Sequence, residues 1–159
     1  MDVYAVLNEL VERYAIPVGR LKVEITETAL LEDPQSGNEV ISKLRRRGFF
    51  IEIDDFGKGY SSLSLLKDIH ADVLKIDMSL LHEIEHRERN RMILESIINM
   101  AVSLGMEVIA EGVETEKQLQ TLKDMGCSVF QGYYFSKPIP TKDFDEKYTV
   151  PGKGGGVTC

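Results

Sequence analysis

Apolar positions along this chain follow two alternating rhythms. Residues 1 to 14, MDVYAVLNELVERY, place Val3, Val6, Leu7, Leu10 and Val11 at the spacing of an amphipathic helix, and IPVG closes the segment with Pro17 and Gly19. Short apolar runs then alternate with helical segments. LKVEIT (21–26) precedes a helix over about 36–47, and FFIEID (49–54) precedes one from about Ser61 to Asp68. DVLKID (72–77) comes before a helix over about 87–104, MEVIAEG (106–112) before one over about 115–125, and CSVFQGYYF (127–135) is the last apolar run. Gly48, Gly105 and Gly126 stand at the returns from helix to strand, where a left-handed cap residue is wanted. The order predicts a parallel sheet covered by helices, either an open doubly wound sheet or a closed barrel of βα units.

A parallel strand buried on both faces should be almost wholly apolar, so the polar residues inside these runs carry the information. They gather at the C-terminal end each time: Glu24 and Glu27, Asp54 and Asp55, Lys75 and Asp77, Glu111 and Glu114, and Gln131. In a parallel array those ends share one face, which in α/β barrels carries the active site. Alone, such a rim of carboxylates repels itself. Hard divalent cations such as Mg2+ and Mn2+ resolve this, and two adjacent carboxylates can hold two ions about 3.5–4 Å apart. Asp54 and Asp55 are the candidates to share such a pair, which would suit in-line displacement at phosphorus, with Lys75 orienting the water or neutralising developing charge. The plainer alternative at Asp54, Asp77 or Thr115 is a helix cap, although caps need only one polar residue per loop. Lys75 lies inside an apolar strand and requires a partner. Tyr133, Tyr134 and Phe135 read as packing, with a base or sugar pocket as the alternative.

Composition narrows the partners. The chain has 159 residues, enough for one domain, and a net charge of −7. That balance argues against binding DNA or another polyanion through bulk positive charge, while a small anionic ligand remains open through a metal. No apolar run approaches the roughly 20 residues of a membrane span, and the amino terminus lacks a signal-peptide layout. Direct membrane insertion is therefore not expected. The cytoplasm is the default compartment, with any membrane anchoring of a parent protein left to other domains. Cys127 sits in an apolar segment and Cys159 ends a loose tail, so they read as a buried thiol and an incidental one. His82 and His86 have metal-clasping i, i+4 spacing, but HEIEHRERNR around them reads as a solvated helix face.

VEITE (23–27), IDDFGKGYSSLSLL (53–66), LKID (74–77), AEGVET (110–115) and QGYYFSKPIP (131–140) together, in this order and spacing, resemble the motifs of the EAL domain family of bacterial cyclic di-GMP phosphodiesterases. The resemblance covers about residues 1–140 and leaves 141–159 as a C-terminal segment ending in a glycine-rich tail that is expected to be disordered. It implies a (β/α)8 TIM-like barrel that uses two Mg2+ or Mn2+ ions to open cyclic di-GMP to linear pGpG. Carried over, Glu24 is a metal ligand, Asp54 is shared by both ions, and Asp55 serves the second. Lys75 contacts the attacking water. Glu111 binds metal and is a candidate to help deprotonate the water, and Gln131 lies beside the second ion. Glu27 and Glu114 are supporting residues, Glu27 by holding the DDFG loop. That loop, with Phe56, Gly57, Gly59 and Tyr60, is implied to couple homodimerisation and ligand occupancy to the site.

Two departures from the family pattern matter. The glutamate-alanine-leucine strand and a metal-binding asparagine have no counterpart in these 159 residues. The expectation is therefore a partial barrel of about five βα units with exposed strand edges, weak or no hydrolysis alone, and a tendency to self-pair. Lys58 replaces the family's usual threonine, with little effect expected. The competing readings are a non-hydrolytic cyclic di-GMP-binding or protein-interaction module, and a barrel metal-hydrolase of another phosphate ester. All the motif positions that lie in this chain are intact, which favours descent from an active enzyme.

Overall fold

The computed structural model describes residues 2–58, 63–84 and 88–148. Within them the alternation becomes α1 (Val3–Arg13), β1 (Lys22–Thr26), α2 (Glu27–Glu32), α3 (Pro34–Arg47), β2 (Phe50–Phe56), α4 (Leu63–Asp68) and β3 (Val73–Ile76). There follow α5 (Met78–Ile84), α6 (Glu88–Ser103), β4 (Glu107–Ala110), α7 (Glu116–Asp124), β5 (Val129–Phe130) and α8 (Thr141–Tyr148). The strands form one parallel sheet in the order β1-β2-β3-β4-β5. Each neighbour in the sheet is the next strand in the chain, as in one arc of a βα barrel, and β1 and β5 are its edges among the described residues.

Helix boundaries follow local chemistry. Asp2 caps α1, Asp33 caps α3 with Pro34 in its first turn, and Thr115 with Gln118 forms a capping box on α7. Gly48, Gly105 and Gly126 all have positive φ, as the returns require. Each long helix buries one stripe: Ile41 and Leu44 on α3, Leu94, Ile97, Ile98 and Ala101 on α6, Leu119 and Leu122 on α7. These pack with Ile51, Ile53, Leu74, Ile76 and Val108 into one core.

The structure adds three helices to the expected set. α2 and α5 begin directly after β1 and β3, and α8 takes up residues of the expected C-terminal segment, Lys147 and Tyr148 of the supposed tail among them. The rest of that tail, with Cys159, lies outside the described residues, as do His86, Gly59 and Tyr60. The last strand is much shorter than expected. After Gln131 the backbone turns, with Phe135 N–H donating to Gly132 O at 3.1 Å and Tyr134 N–H to Val113 O at 2.9 Å. Tyr133, Tyr134 and Phe135 are consequently exposed, which corrects their reading as packing residues.

β2 departs from a regular strand where it matters. Its Ile53 pairs with Leu74 and its Phe56 with Ile76, so three steps on β2 face two on β3. This is a β-bulge at Asp54–Asp55, and Asp55 takes a left-handed φ of 58°. Aspartate tolerates that conformation better than most residues.

One side of the sheet carries charge. Glu52, 3% exposed, meets Lys22 Nζ at 2.7 Å across β1–β2, and its Oε1 receives no hydrogen bond of good geometry. Replacing Lys22 by Met should destabilise the fold by on the order of 2 kcal/mol in urea unfolding, because a buried carboxylate loses the ammonium paired with it. Adding Glu52→Ala should recover most of that loss, and a neutral Lys22→Met would show the pair to be idle. Burial raises the Cys127 thiol pKa above its ordinary value. In a Cys159→Ser background its alkylation at neutral pH should be slow until denaturant opens the core.

Candidate active site

The sequence places a lysine in the middle of β3, where all four residues are buried. Its partners arrive from three strands. Lys75 Nζ lies 3.0 Å from Glu24 Oε1 on β1, 3.0 Å from Asp54 Oδ1 on β2 and 2.9 Å from Glu111 Oε1 just beyond β4. Strand pairing brings them there: Thr26 stands opposite Asp54, Lys75 opposite Ile109, and Glu111 N–H donates to Ile76 O at 3.0 Å. Side-chain exposure falls from 52% at Glu24 to 22% at Asp54, 19% at Glu111 and 9% at Lys75. Burial alone would lower the lysine pKa. The carboxylates of Glu111, Asp54 and Glu24 against the ammonium outweigh it and hold the pKa well above the ordinary lysine value.

Two consequences follow for charge. The ammonium stays protonated at any working pH, so it donates hydrogen bonds and cannot act as a base. Three carboxylates against one ammonium leave two negative charges, matching one divalent cation. Asp54 Oδ1 is buried and, although the ammonium faces it, receives no hydrogen bond of good geometry. An under-coordinated carboxylate oxygen among hard oxygen donors suits Mg2+, Mn2+ or Ca2+. Among the described residues no three His, Cys, Asp or Glu side chains form a ready-made ion cage, since the Lys75 ammonium takes their focus.

The other predicted residues that the structure describes are held as follows. Glu27 is 4% exposed, and its Oε2 accepts the Gly57 N–H at 3.1 Å, tying α2 to the loop after β2. Phe56 is fully buried and closes β2. Asp55 turns away from Lys75 and pairs with Lys58 at 3.2 Å. Gln131 is anchored by its backbone, donating to Ala110 O at 2.9 Å and accepting from Val113 N–H at 3.0 Å, while its residue is exposed. Glu114 is exposed too, its N–H held by Gln118 Oε1 at 2.9 Å. The cap alternatives separate cleanly. Asp77 caps α5 through Ser79 N–H at 2.8 Å and Thr115 caps α7, whereas Asp54 faces Lys75 and caps no helix among the described residues.

Sequence reasoning missed the Lys22–Glu52 pair and the Lys58–Asp55 contact. The i, i+3 spacing in DDFGK is the only signal that could have flagged the second. A separate cleft of about 460 Å3, lined by Asn38, Ser42, Arg45, Arg46, Asp68 and His70 among others, opens beside the N-terminal ends of β2 and β3, away from the carboxylates. Arg45 at this cleft pairs with Asp72 at 3.1 Å, and Arg46 and Asp68 both line it.

A parallel βα arc with charged side chains gathered at its strand ends is the arrangement in which α/β barrels carry their functional sites. The EAL domain model matches residues 3–138, and the chain belongs to the EAL domain family. It is 39% identical over 145 residues to signaling protein YkoW of Bacillus subtilis, covering 91% of this chain and 18% of that protein. It is 34% identical over 138 residues to cyclic di-GMP phosphodiesterase RocR of Pseudomonas aeruginosa, covering 87% of this chain and 35% of RocR. The solved complex of Klebsiella pneumoniae BlrP1 with manganese and cyclic di-GMP superposes with a TM-score of 0.79 at 34% identity, covering 86% of this chain and 35% of that one. The chain thus spans about a third or less of the length of these relatives. Among the described residues no helix is long and apolar enough to cross a membrane.

Replacing Lys75 by Met should destabilise the chain by about 3 kcal/mol, since three carboxylates then face one another without a cation. Mn2+ should raise the melting temperature of Lys75→Met more than that of the unmodified chain, as read by thermal unfolding with and without metal. In the unmodified chain the stabilisation from Lys75 should persist through neutral pH. It should fade only as the pH climbs past the unfolded lysine pKa of about 10.4 and through the raised folded value.

Proposed function

We propose that these residues form the main part of the active site of a domain that hydrolyses cyclic di-GMP to linear pGpG with two Mg2+ or Mn2+ ions. The observation that carries the reading is the convergence of Glu24, Asp54 and Glu111 on the buried Lys75 ammonium, with Asp54 Oδ1 lacking a well-formed hydrogen bond. Support comes from the family match and from relatives whose names and titles carry cyclic di-GMP and manganese.

Glu24, Asp54 and Glu111 would hold the first ion, and Asp54 with Asp55 the second, beside Gln131. When bound, the ions would activate a water and stabilise the leaving oxygen. The chain's own residues divide the remaining work. Lys75, fixed as an ammonium, donates a hydrogen bond that orients the water towards phosphorus. Glu111 accepts the proton that the water releases as its oxygen bonds to phosphorus. One ester P–O bond breaks, and the departing oxygen takes a proton from solvent water to become a hydroxyl of pGpG. Glu27 keeps the DDFG turn in place through Gly57, and Glu114 borders the turn into α7. The loop of Phe56, Gly57, Gly59 and Tyr60 would couple the site to a homodimer, as the family resemblance implies, and Leu80 of α5 packs against its Gly57 within the chain. The protein would work in the cytoplasm, the compartment of a nucleotide second messenger.

Hydrolysis is measured by following pGpG after incubation with cyclic di-GMP and Mn2+. A polypeptide joining these residues to a glutamate-alanine-leucine strand should turn over, and its Asp54→Asn form should lose activity by roughly 100-fold or more. The 159 residues alone should show weak turnover or none. Normal turnover by Asp54→Asn would overturn the two-ion assignment, and tight cyclic di-GMP binding without pGpG would favour a binding module.

A further inference from the structure

Asp55 and Lys58 are joined by a turn that leaves them little choice of partner. Asp55 has φ 58° and Gly57 φ 98°, and the Lys58 N–H donates to Asp55 O at 3.2 Å, folding residue 58 back over residue 55. The Lys58 ammonium then lies 3.2 Å from Asp55 Oδ1. The turn is held from both sides. Glu27 Oε2 accepts the Gly57 N–H at 3.1 Å, and Leu80 packs so closely against Gly57 that a β-carbon there would collide with it. The hydrogen bond and charge of Asp55, with weaker help from Asp77 and Asp54, keep the Lys58 pKa above its ordinary value.

The two lysines of the site differ in one respect. Lys75 is 9% exposed and locked among three carboxylates, whereas the Lys58 side chain is 65% exposed and among the described residues pairs with Asp55 alone. A water-facing pair of that kind is weak and easily broken. Lys75 is therefore a permanent part of the charge balance, and Lys58 a removable one.

We propose that Lys58 competes with the second divalent ion: its ammonium occupies the Asp55 carboxylate that this ion must take, so the second position fills only at cation concentrations able to displace it. The inference rests on the two-ion reading above. It makes the two ion positions unequal by design, the Asp54-centred one filling first.

The test is a Mn2+ titration of the whole chain, with free Mn2+ counted by electron paramagnetic resonance, for the unmodified protein, Lys58→Gln and Lys58→Arg. Lys58→Gln should tighten the weaker ion by about three- to tenfold at low ionic strength, or reveal a second ion where the unmodified chain binds only one. Lys58→Arg should behave like the unmodified chain. The difference should shrink near 1 M KCl, where the Debye length is about 3 Å, a response that a merely structural role would not give. Equal ion affinities in Lys58→Gln and the unmodified chain would overturn the Lys58 proposal while leaving the two-ion reading standing. Absence of Mn2+ binding in every variant would overturn the two-ion reading and this inference with it.

Discussion

The fold depends on one cation buried in a parallel sheet. Lys75 Nζ reaches Glu24, Asp54 and Glu111, and so links β1, β2 and the end of β4 through the strand between them. Without that charge the same face would gather acids that repel, with Glu52 two residues before Asp54 on the same strand. Hydrophobic burial builds the other side of the sheet from Ile51, Ile53, Leu74 and Ile76. Non-directional burial fixes which face is covered by helices, while the directional ion pairs fix which oxygens meet.

Around this focus the chemistry is graded by burial. Glu24 is half exposed at the edge strand, Asp54 and Glu111 are partly buried, and Lys75 is nearly inaccessible. A site graded in this way keeps its countercharge where water cannot screen it and opens its acids towards solvent, where a cation and a phosphodiester would arrive. Loop and helix support the grading from outside, since Glu27 holds the turn at Gly57 and Asp77 starts α5 beneath it.

Much of this was legible in the chain. Polar residues interrupting apolar strands at one end marked Glu24, Asp54, Lys75 and Glu111, because a parallel strand tolerates charge only where something meets it. The glycines after α3, α6 and α7 marked the returns. Other features depend on neighbours that a one-dimensional pattern does not display. The extra residue of β2 exists only relative to β3. β5 stops after two residues because the chain turns against Val113, although CSVFQGYYF reads as one apolar run. Lys58 looked incidental until the turn brought it onto Asp55, and the Lys22–Glu52 pair exists only across two strands.

The bulge answers why two aspartates stand side by side. On a regular strand neighbouring side chains point to opposite faces, so a pair of carboxylates would be split between the core and the site. The additional residue acts as a dislocation does in a crystal: the lattice below it is continuous, and the rows above it are displaced by one. Pairing of β1 with β2 and β2 with β3 remains regular up to Ile53, while the segment beyond it answers to a different phase. The strand thus changes phase at Asp54–Asp55 and still delivers Phe56 to the core opposite Ile76.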